Sequence, residues 1–311
     1  MERENGRSRM EQLIEKANIL IEALPYIRNF SGRTIVIKYG GSAMKDDALK
    51  HSVMQDIVLM KYVGMYPVVV HGGGDRISSW MARIGKEAEF VQGLRVTDQE
   101  TVEIAEMVLA GTINKEIVSL VNQHGGKAVG LCGKDANLIH AQKHFAHIVD
   151  EHGNPAVVDL GFVGDIVEVN PEILIALNQA DYIPVIAPNG IGEDGCTYNI
   201  NADTMAGEIA AALNAEKLIM LTDTRGILRD VNDPSTLIPT IKSGEIEHLI
   251  SDGIITTGML PKVEACVTAL KGDVHKTHII DGGLSHSILL EVFTSEGIGT
   301  QIVVDAEEPK E

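Results

Sequence analysis

Thr34-Ile35-Val36-Ile37-Lys38-Tyr39-Gly40-Gly41-Ser42-Ala43-Met44 is the stretch from which the fold can be read. Thr34 to Ile37 is β-branched throughout, apolar after its first residue and too short for a helix, the pattern of a buried parallel strand. Two glycines follow, and a helical spacing is taken up at Met44 and continued by Leu49, Val53, Ile57, Val58 and Met60. Strand, glycine pair, helix is a geometry in which bare backbone N–H groups at a helix N-terminus face phosphate oxygens. Glycine serves there because a Cβ would block the approach and because such turns can require positive φ. Lys38, at the carboxyl end of the strand, adds a positive charge beside the same oxygens. An ordinary βα turn with a surface lysine fits this stretch equally well, since short glycine motifs are common.

The plan recurs. Tyr66-Pro67-Val68-Val69-Val70-His71-Gly72-Gly73-Gly74-Asp75 is again a buried strand and a glycine run, followed by a helical pattern at Ile77, Trp80, Met81 and Ile84. Two consecutive parallel strands ending in glycine turns bring two anion-binding helix starts to one edge of a sheet. Beyond the strand carboxyl ends is where open α/β sheets bind ligands. The pair reads as a phosphate-transfer site.

Composition narrows the partners. The chain has 311 residues, room for one large or two medium domains with an ample core. A net charge of −18 with no Lys/Arg run argues against a nucleic-acid partner, because phosphate backbones require basic patches. An anionic substrate must therefore be captured by local positive groups. Cys132, Cys196 and Cys266 are scattered without CxxC pairing, which fits a reducing cytoplasm and neither a disulfide framework nor a zinc site. The N-terminal region lacks a continuous apolar core of the signal-peptide kind, and no stretch is long and apolar enough for a membrane span.

Ahead of the first strand, Met10, Leu13, Ile14, Ala17, Leu20, Ile21 and Leu24 share one helical face, with Pro25 as the expected stop. That helix either packs on its own domain or meets another subunit. Gly93-Leu94-Arg95-Val96-Thr97-Asp98 leads to a helix capped by Thr97 or Asp98. Arg95, expected in the loop before it, suits bidentate capture of a carboxylate or a surface salt bridge. Lys127 to Leu131 reads as a strand. His140, His144, His147 and His152 follow; no carboxylate or cysteine completes a metal shell with them, and the surrounding glycines point to β-hairpins.

A helix from Asn170-Pro171 to Gln179 and a strand from Tyr182 to Ile186 come next, and Pro188-Asn189-Gly190 is the candidate domain boundary. Gly190-Ile191-Gly192-Glu193-Asp194-Gly195 matches GxGxxG, but a strand-like run at Cys196 to Ile200 follows where the dinucleotide fingerprint needs a helix, so a hairpin turn is expected. A helix from Asn201 or Asp203, a strand from Lys217 to Leu221, loop and short helix over 232–253, a helix opened by Gly258-Met259-Leu260-Pro261-Lys262 and a strand from Thr277 to Ile280 complete the pattern. This alternation predicts an α/β fold, an open three-layer αβα sandwich with a largely parallel central sheet. Its expected parts are a helical extension (1–27) and two lobes (28–189 and 190–311).

Lys38-Tyr-Gly-Gly-Ser-Ala-Met, His71-Gly-Gly-Gly, Gly93-Leu-Arg-Val-Thr-Asp, Asn199-Ile-Asn-Ala-Asp203 and Gly258-Met-Leu-Pro-Lys262 occur in the order found in the N-acetylglutamate kinase branch of the amino-acid kinase family. From about residue 30 to 304 the chain resembles that family. The resemblance implies ATP-dependent phosphorylation of the γ-carboxylate of N-acetyl-L-glutamate, the second step of arginine biosynthesis. It implies catalytic roles for Lys38, Lys262 and Asp203, with Gly72, Gly73, Arg95 and Asn199 on the acid. Gly40, Gly41, Thr222, Asp223 and Gly258 would serve ATP, whose phosphates Mg²⁺ would bridge with no dedicated protein cage. Arginine-sensitive members interlace an N-terminal helix into a ring-shaped homohexamer, a trimer of dimers. By that likeness Glu291 and Gly297 would hold inhibitory arginine. Two other readings stay open: a kinase of the same fold for aspartate, glutamate, carbamate or UMP, and a non-catalytic nucleotide-binding regulator.

Overall fold

The computed structural model describes residues 2–149, 153–256, 258–294 and 297–305. Helix α1 (Glu2–Phe30) leads into β1 (Thr34–Tyr39); a 3₁₀ turn (Gly41–Met44) and α2 (Asp47–Tyr62) lead to β2 (Tyr66–His71) and α3 (Gly74–Arg83). A short hairpin, β3 (Phe90–Val91) and β4 (Leu94–Arg95), precedes α4 (Gln99–Glu106), a π turn (Met107–Ile113) and α5 (Asn114–Gln123). Then come β5 (Ala128–Cys132), β6 (Ile139–Val149), β7 (Pro155–Val169), α6 (Glu172–Gln179), β8 (Ile183–Ala187), β9 (Asn189–Ile191) and β10 (Thr197–Asn199). Helix α7 (Ala202–Ala212), β11 (Lys217–Thr222), β12 (Thr240–Lys242), α8 (Ile246–Ser251), α9 (Leu260–Lys271), β13 (Lys276–Asp281), α10 (Ser287–Val292) and β14 (Thr300–Val303) follow.

Eight strands form one sheet in the order β12-β14-β13-β11-β1-β2-β8-β5, parallel except where β13 meets β14. The β-branched run of β1 alternates between two cores. Val36 packs with Val68, Leu218 and Met220 beneath α7 and α9, whereas Ile35 and Ile37 pack with Val69 and Ile219 beneath α2 and α5. Burial on both faces is what makes the run continuously apolar, and it gives the three layers expected from the sequence. The histidine-rich stretch is the long antiparallel hairpin β6–β7, which closes a small barrel with β9 and β10. His140, His144 and His147 lie along β6, and His152 falls outside the described residues. The GxGxxG stretch is the turn of the β9–β10 hairpin, as its chemistry required. Asn189, in the candidate boundary, belongs to strand β9.

Four expectations need correction. Pro25 does not stop α1, which runs on to Phe30. Proline removes one i→i−4 bond, but the turn beyond it is held by tertiary contacts: Tyr26 lies edge-on to Phe293 at 6.4 Å and the Phe30 ring takes the Lys217 ammonium at 5.2 Å. The glycine pair after β1 opens a 3₁₀ turn, and the α-helix begins only at Asp47, where the Asp46 side chain caps it by accepting from Leu49 N–H. Arg95 sits in strand β4 rather than in a loop. The stretch 232–253 contains, besides its helix, strand β12, which the three residues Thr240 to Lys242 are too few to signal by alternation.

Candidate active site

The carboxyl ends of β1 and β2 open onto a cleft of about 690 Å³, lined among others by Lys38, Gly41, Gly73, Arg95, Asn199 and Asp203. Its charged centre is Asp203 in the first turn of α7, with the residue only 6% exposed. Asn201 caps that helix, its side chain accepting from the N–H groups of Asp203 and Thr204. Lys38 Nζ pairs with Asp203 Oδ1 at 2.8 Å and Lys262 Nζ with Oδ2 at 3.1 Å. Burial alone would raise the Asp203 pKa, but the two ammonium groups outweigh it and hold the carboxyl below its ordinary value. One carboxylate thus fixes two cations from elements at opposite ends of the sequence.

The two glycine turns flank this centre. Gly40 leaves room for the lysine, since a Cβ there would stand 2.6 Å from Lys38 Nζ. Gly41 is left-handed, at φ +66°, and the Asp223 carboxylate lies against it, accepting from the Ser42 N–H. In the second turn, Gly72 N–H donates to the Tyr39 carbonyl at 2.9 Å, so that amide is not free for a substrate as the sequence reading expected. Gly73 caps α3, whose first-turn N–H groups lack intrahelical partners. A Cβ on Gly73 would collide with Ile113 and Leu109 of the π turn, which packs directly beneath.

Arg95 is buried at 6% exposure. Its Nη2 donates to Gly74 O (2.9 Å) and Ser78 Oγ (2.8 Å), and the Phe90 ring covers the guanidinium at 4.7 Å. Of the five guanidinium donors, one on Nη1 reaches Met81 Sδ at 3.4 Å, and the single N–H of Nε has no protein acceptor among the described residues. Asn199, the last residue of β10, and Asp223 also line the cleft. Thr222 and Gly258 do not line the cleft: Thr222 ends β11 in the core, its carbonyl accepting from Gly282 N–H, and Gly258 precedes α9.

Sequence reading passed over the cleft mouth, where Glu116 of α5 accepts from Lys50 of α2 (3.1 Å) and Arg76 of α3 (2.8 Å). Three helices supply one residue each, and no local spacing announces such a cluster. Glu291 and Gly297 lie apart from the cleft residues. Glu291, on α10, is buried, its carboxylate 2.6 Å from His278 Nδ1 and accepting from Ile298 N–H, while Lys217 Nζ lies 3.0 Å from His278 Nε2. Burial lowers the His278 pKa and pushes Lys217 down to about 8; at Glu291 burial raises, but the His278 and Ile298 contacts prevail and the pKa falls. A neutral imidazole between an ammonium and a carboxylate is the consistent assignment.

Two cations held on one buried aspartate beside two glycine turns form an arrangement chemically able to neutralise the charge of a phosphate group. The chain belongs to the amino acid kinase family, whose model matches residues 33–281. It is similar to the acetylglutamate kinase of Heliobacterium modesticaldum, 57% identical over 294 residues that make up 94% of this chain and 100% of that protein. Among solved structures it resembles the N-acetylglutamate synthase of Neisseria gonorrhoeae complexed with coenzyme A and N-acetyl-glutamate. That likeness has TM-score 0.79 and 28% identity, over 93% of this chain and 64% of the synthase. The same synthase complexed with coenzyme A and L-arginine matches at TM-score 0.76 and 26% identity, over 93% of this chain and 66% of that one.

Proposed function

We propose that the chain transfers the γ-phosphoryl group of ATP to the γ-carboxylate of N-acetyl-L-glutamate, giving the acyl phosphate and ADP, the second step of arginine biosynthesis. The observation that carries this is Asp203 pairing at once with Lys38 and Lys262. A carboxylate oxygen attacks the γ-phosphorus as the bond to the β,γ-bridging oxygen breaks, and the electron pair leaves with ADP. The nucleophile is ionised at neutral pH, so no general base is required. What remains is alignment and neutralisation of charge on the transferring group. Lys38 and Lys262 supply the charge, and Asp203 keeps both in place. Arg95 holds the α-carboxylate of the acid and Asn199 its acetamido end, with the acid on the side of residues 28–189 and ATP on the side of residues 190–311.

Mg²⁺ enters with the nucleotide in this reading. Among the described residues no group of three or more His, Cys, Asp or Glu is disposed around a metal, and the buried cleft carboxylate Asp203 is committed to two lysines. The ion would supply charge neutralisation on phosphates that carry it. Three free cysteines suit a reducing cytoplasm.

The test is ADP release by the purified chain with ATP and N-acetylglutamate, run beside glutamate and aspartate. Free glutamate would bring an unpaired ammonium into a pocket of neutral hydrogen bonds, at a cost of several kcal/mol. Turnover of glutamate within about tenfold of N-acetylglutamate would sink the assignment.

Feedback inhibition by arginine belongs to the same proposal. Gly297 packs directly on the buried Glu291 carboxylate, since a Cβ there would stand 3.0 Å from Oε1, and α1 reaches this region through Tyr26 and Phe30. The exposed apolar residues of α1, among them Leu13, Leu20 and Ile21, supply the contact by which dimers would join into a hexamer. Inhibition requires arginine to favour an open arrangement of the lobes. Deleting residues 1–26 should then give dimers that turn over but resist arginine; a truncated enzyme that stayed hexameric and equally sensitive would end this part of the proposal.

A further inference from the structure

His71 ends β2 immediately before the second glycine turn and is wholly buried. Its imidazole does not line the cleft. It lies beneath the turn instead, with Nδ1 2.9 Å from the Gly72 carbonyl oxygen. A carbonyl only accepts, so Nδ1 carries the proton and Nε2 is left as the acceptor. Asn114 Nδ2 lies 3.3 Å from Nε2, completing the pair, and the same amide donates to Val185 O of β8 at 2.9 Å. Asn114 is also fully buried, and it fits only because position 130 of the neighbouring β5 is glycine: any Cβ there would overlap the Asn114 side-chain oxygen. Two polar side chains from different elements are thus sealed under one peptide unit, and neither has a role in the chemistry described above.

The consequence follows from peptide geometry. In a trans peptide the C=O and the following N–H point to opposite sides. Tying the Gly72 carbonyl down to the imidazole turns the Gly73 N–H the other way. Gly72's own N–H is spent on Tyr39 O, which leaves Gly73 as the donor of this pair. A Gly-Gly peptide flips with little steric resistance, since glycine tolerates φ of either sign. Flipped, it would present a carbonyl oxygen to an anion.

We propose that His71 is a positioning residue for phosphoryl transfer: as the Nδ1–H tautomer it holds the Gly72–Gly73 peptide with its N–H toward the transferring phosphoryl group. Asn114 sets the tautomer, and Leu109 and Ile113 hold the turn from its apolar side. Burial keeps the ring neutral, with its pKa pushed down to about 4. A protonated ring would set an Nε2–H against the Asn114 amide hydrogens. The inference rests on the kinase reading given above.

The test uses the full-length enzyme and three variants. His71→Leu keeps bulk and removes both nitrogens; His71→Asn returns a donor near the Nδ1 position; His71→Gln returns one nearer Nε2. His71→Leu is expected to lose ~10²–10³ in kcat, the loss that follows removal of one preorganised donor, with KM for N-acetylglutamate moved by less than about threefold. His71→Asn should recover kcat to within about tenfold of the parent, and His71→Gln should not. A crystal structure of His71→Leu should show the Gly72 carbonyl turned toward the cleft. Equal kcat in His71→Asn and His71→Gln, or an unflipped peptide in an impaired His71→Leu, would reduce His71 to a packing residue. Should His71→Leu fail to fold, the Asn and Gln pair decides alone. Absence of N-acetylglutamate turnover by the parent enzyme would instead overturn the kinase reading, and the crystallographic peptide orientation would still judge the positioning role.

Discussion

The two glycine turns look alike in sequence and are built by different means. The turn after β1 is ringed by charge: Lys38, itself paired with Asp203, and Asp223 reach it, Gly41 takes a left-handed φ, and a carboxylate occupies the Ser42 N–H. The turn after β2 rests on neutral groups, a buried imidazole beneath and Leu109 and Ile113 beside, with the Arg95 guanidinium at its far end on Gly74 O. In the first, Gly41 is required by backbone conformation; in the second, Gly73 is required by close approach of side chains. The difference teaches that one motif serves two electrostatic tasks. A phosphate oxygen seeking the Ser42 amide competes with Asp223, so the first turn answers to charge. The second is set before any ligand arrives.

The largest expected effect lies on the charged side. Lys38→Ala and Lys262→Ala should each lower kcat by ~10²–10³ while raising KM for N-acetylglutamate far less, because their charge matters most as the phosphoryl transfers. Steady-state kinetics with unchanged kcat would remove that lysine from the mechanism. Next comes Arg95→Ala, expected to raise KM for the acid by ~10–100-fold with kcat little altered, the scale of a lost hydrogen bond to a charged group. A change confined to the KM for ATP would reverse the placement of the two substrates.

Stability separates the turns more finely. Gly41→Ala forces a left-handed alanine, at about 1–2 kcal/mol, whereas a Cβ on Gly72 meets only Tyr39 O, at 3.9 Å. Urea unfolding should show the larger loss for Gly41→Ala; equal losses would erase the contrast. The smallest effect is one of pH. The unfolded His71 imidazole titrates near 6.5 and the folded one at about 4. Between those values the unfolded chain binds the extra proton, so this contribution to stability is intact above 6.5 and is lost as pH falls toward 4. His71→Asn should flatten that part of the profile of melting temperature against pH. A slope unchanged in the variant would assign it to other groups.

Much of this was legible from local pattern. The runs at Thr34–Ile37 and Tyr66–Val70, each closed by glycines, announced central strands because burial on both faces leaves no polar positions. Asp203 with its two lysines came from resemblance, since nothing in a helix-capping aspartate names its distant partners. What stayed hidden depended on tertiary context. Pro25 looked like a terminator until Phe293 and Lys217 held the turn beyond it. Arg95 looked exposed until Phe90, Gly74 and Ser78 closed around it. Glu291 gave no hint of burial against His278, which sits on a neighbouring strand. His71 was visible as a strand end and the head of a glycine motif, but not as a partner of Asn114, which the fold brings to it.

The central place of β1 also bears on how the protein comes to be made. Its two neighbours in the sheet are β2, which follows closely in the chain, and β11, in which Lys217 stands opposite Ile35. On a ribosome adding ~5–20 residues per second, the roughly 180 residues between those partners take on the order of ten seconds or more to emerge. For that interval the nascent chain carries an apolar strand with one edge unsatisfied, a template for pairing with a neighbour. Chaperone occupancy of nascent chains should accordingly persist until Thr222 has left the exit tunnel and decline once β11 can dock.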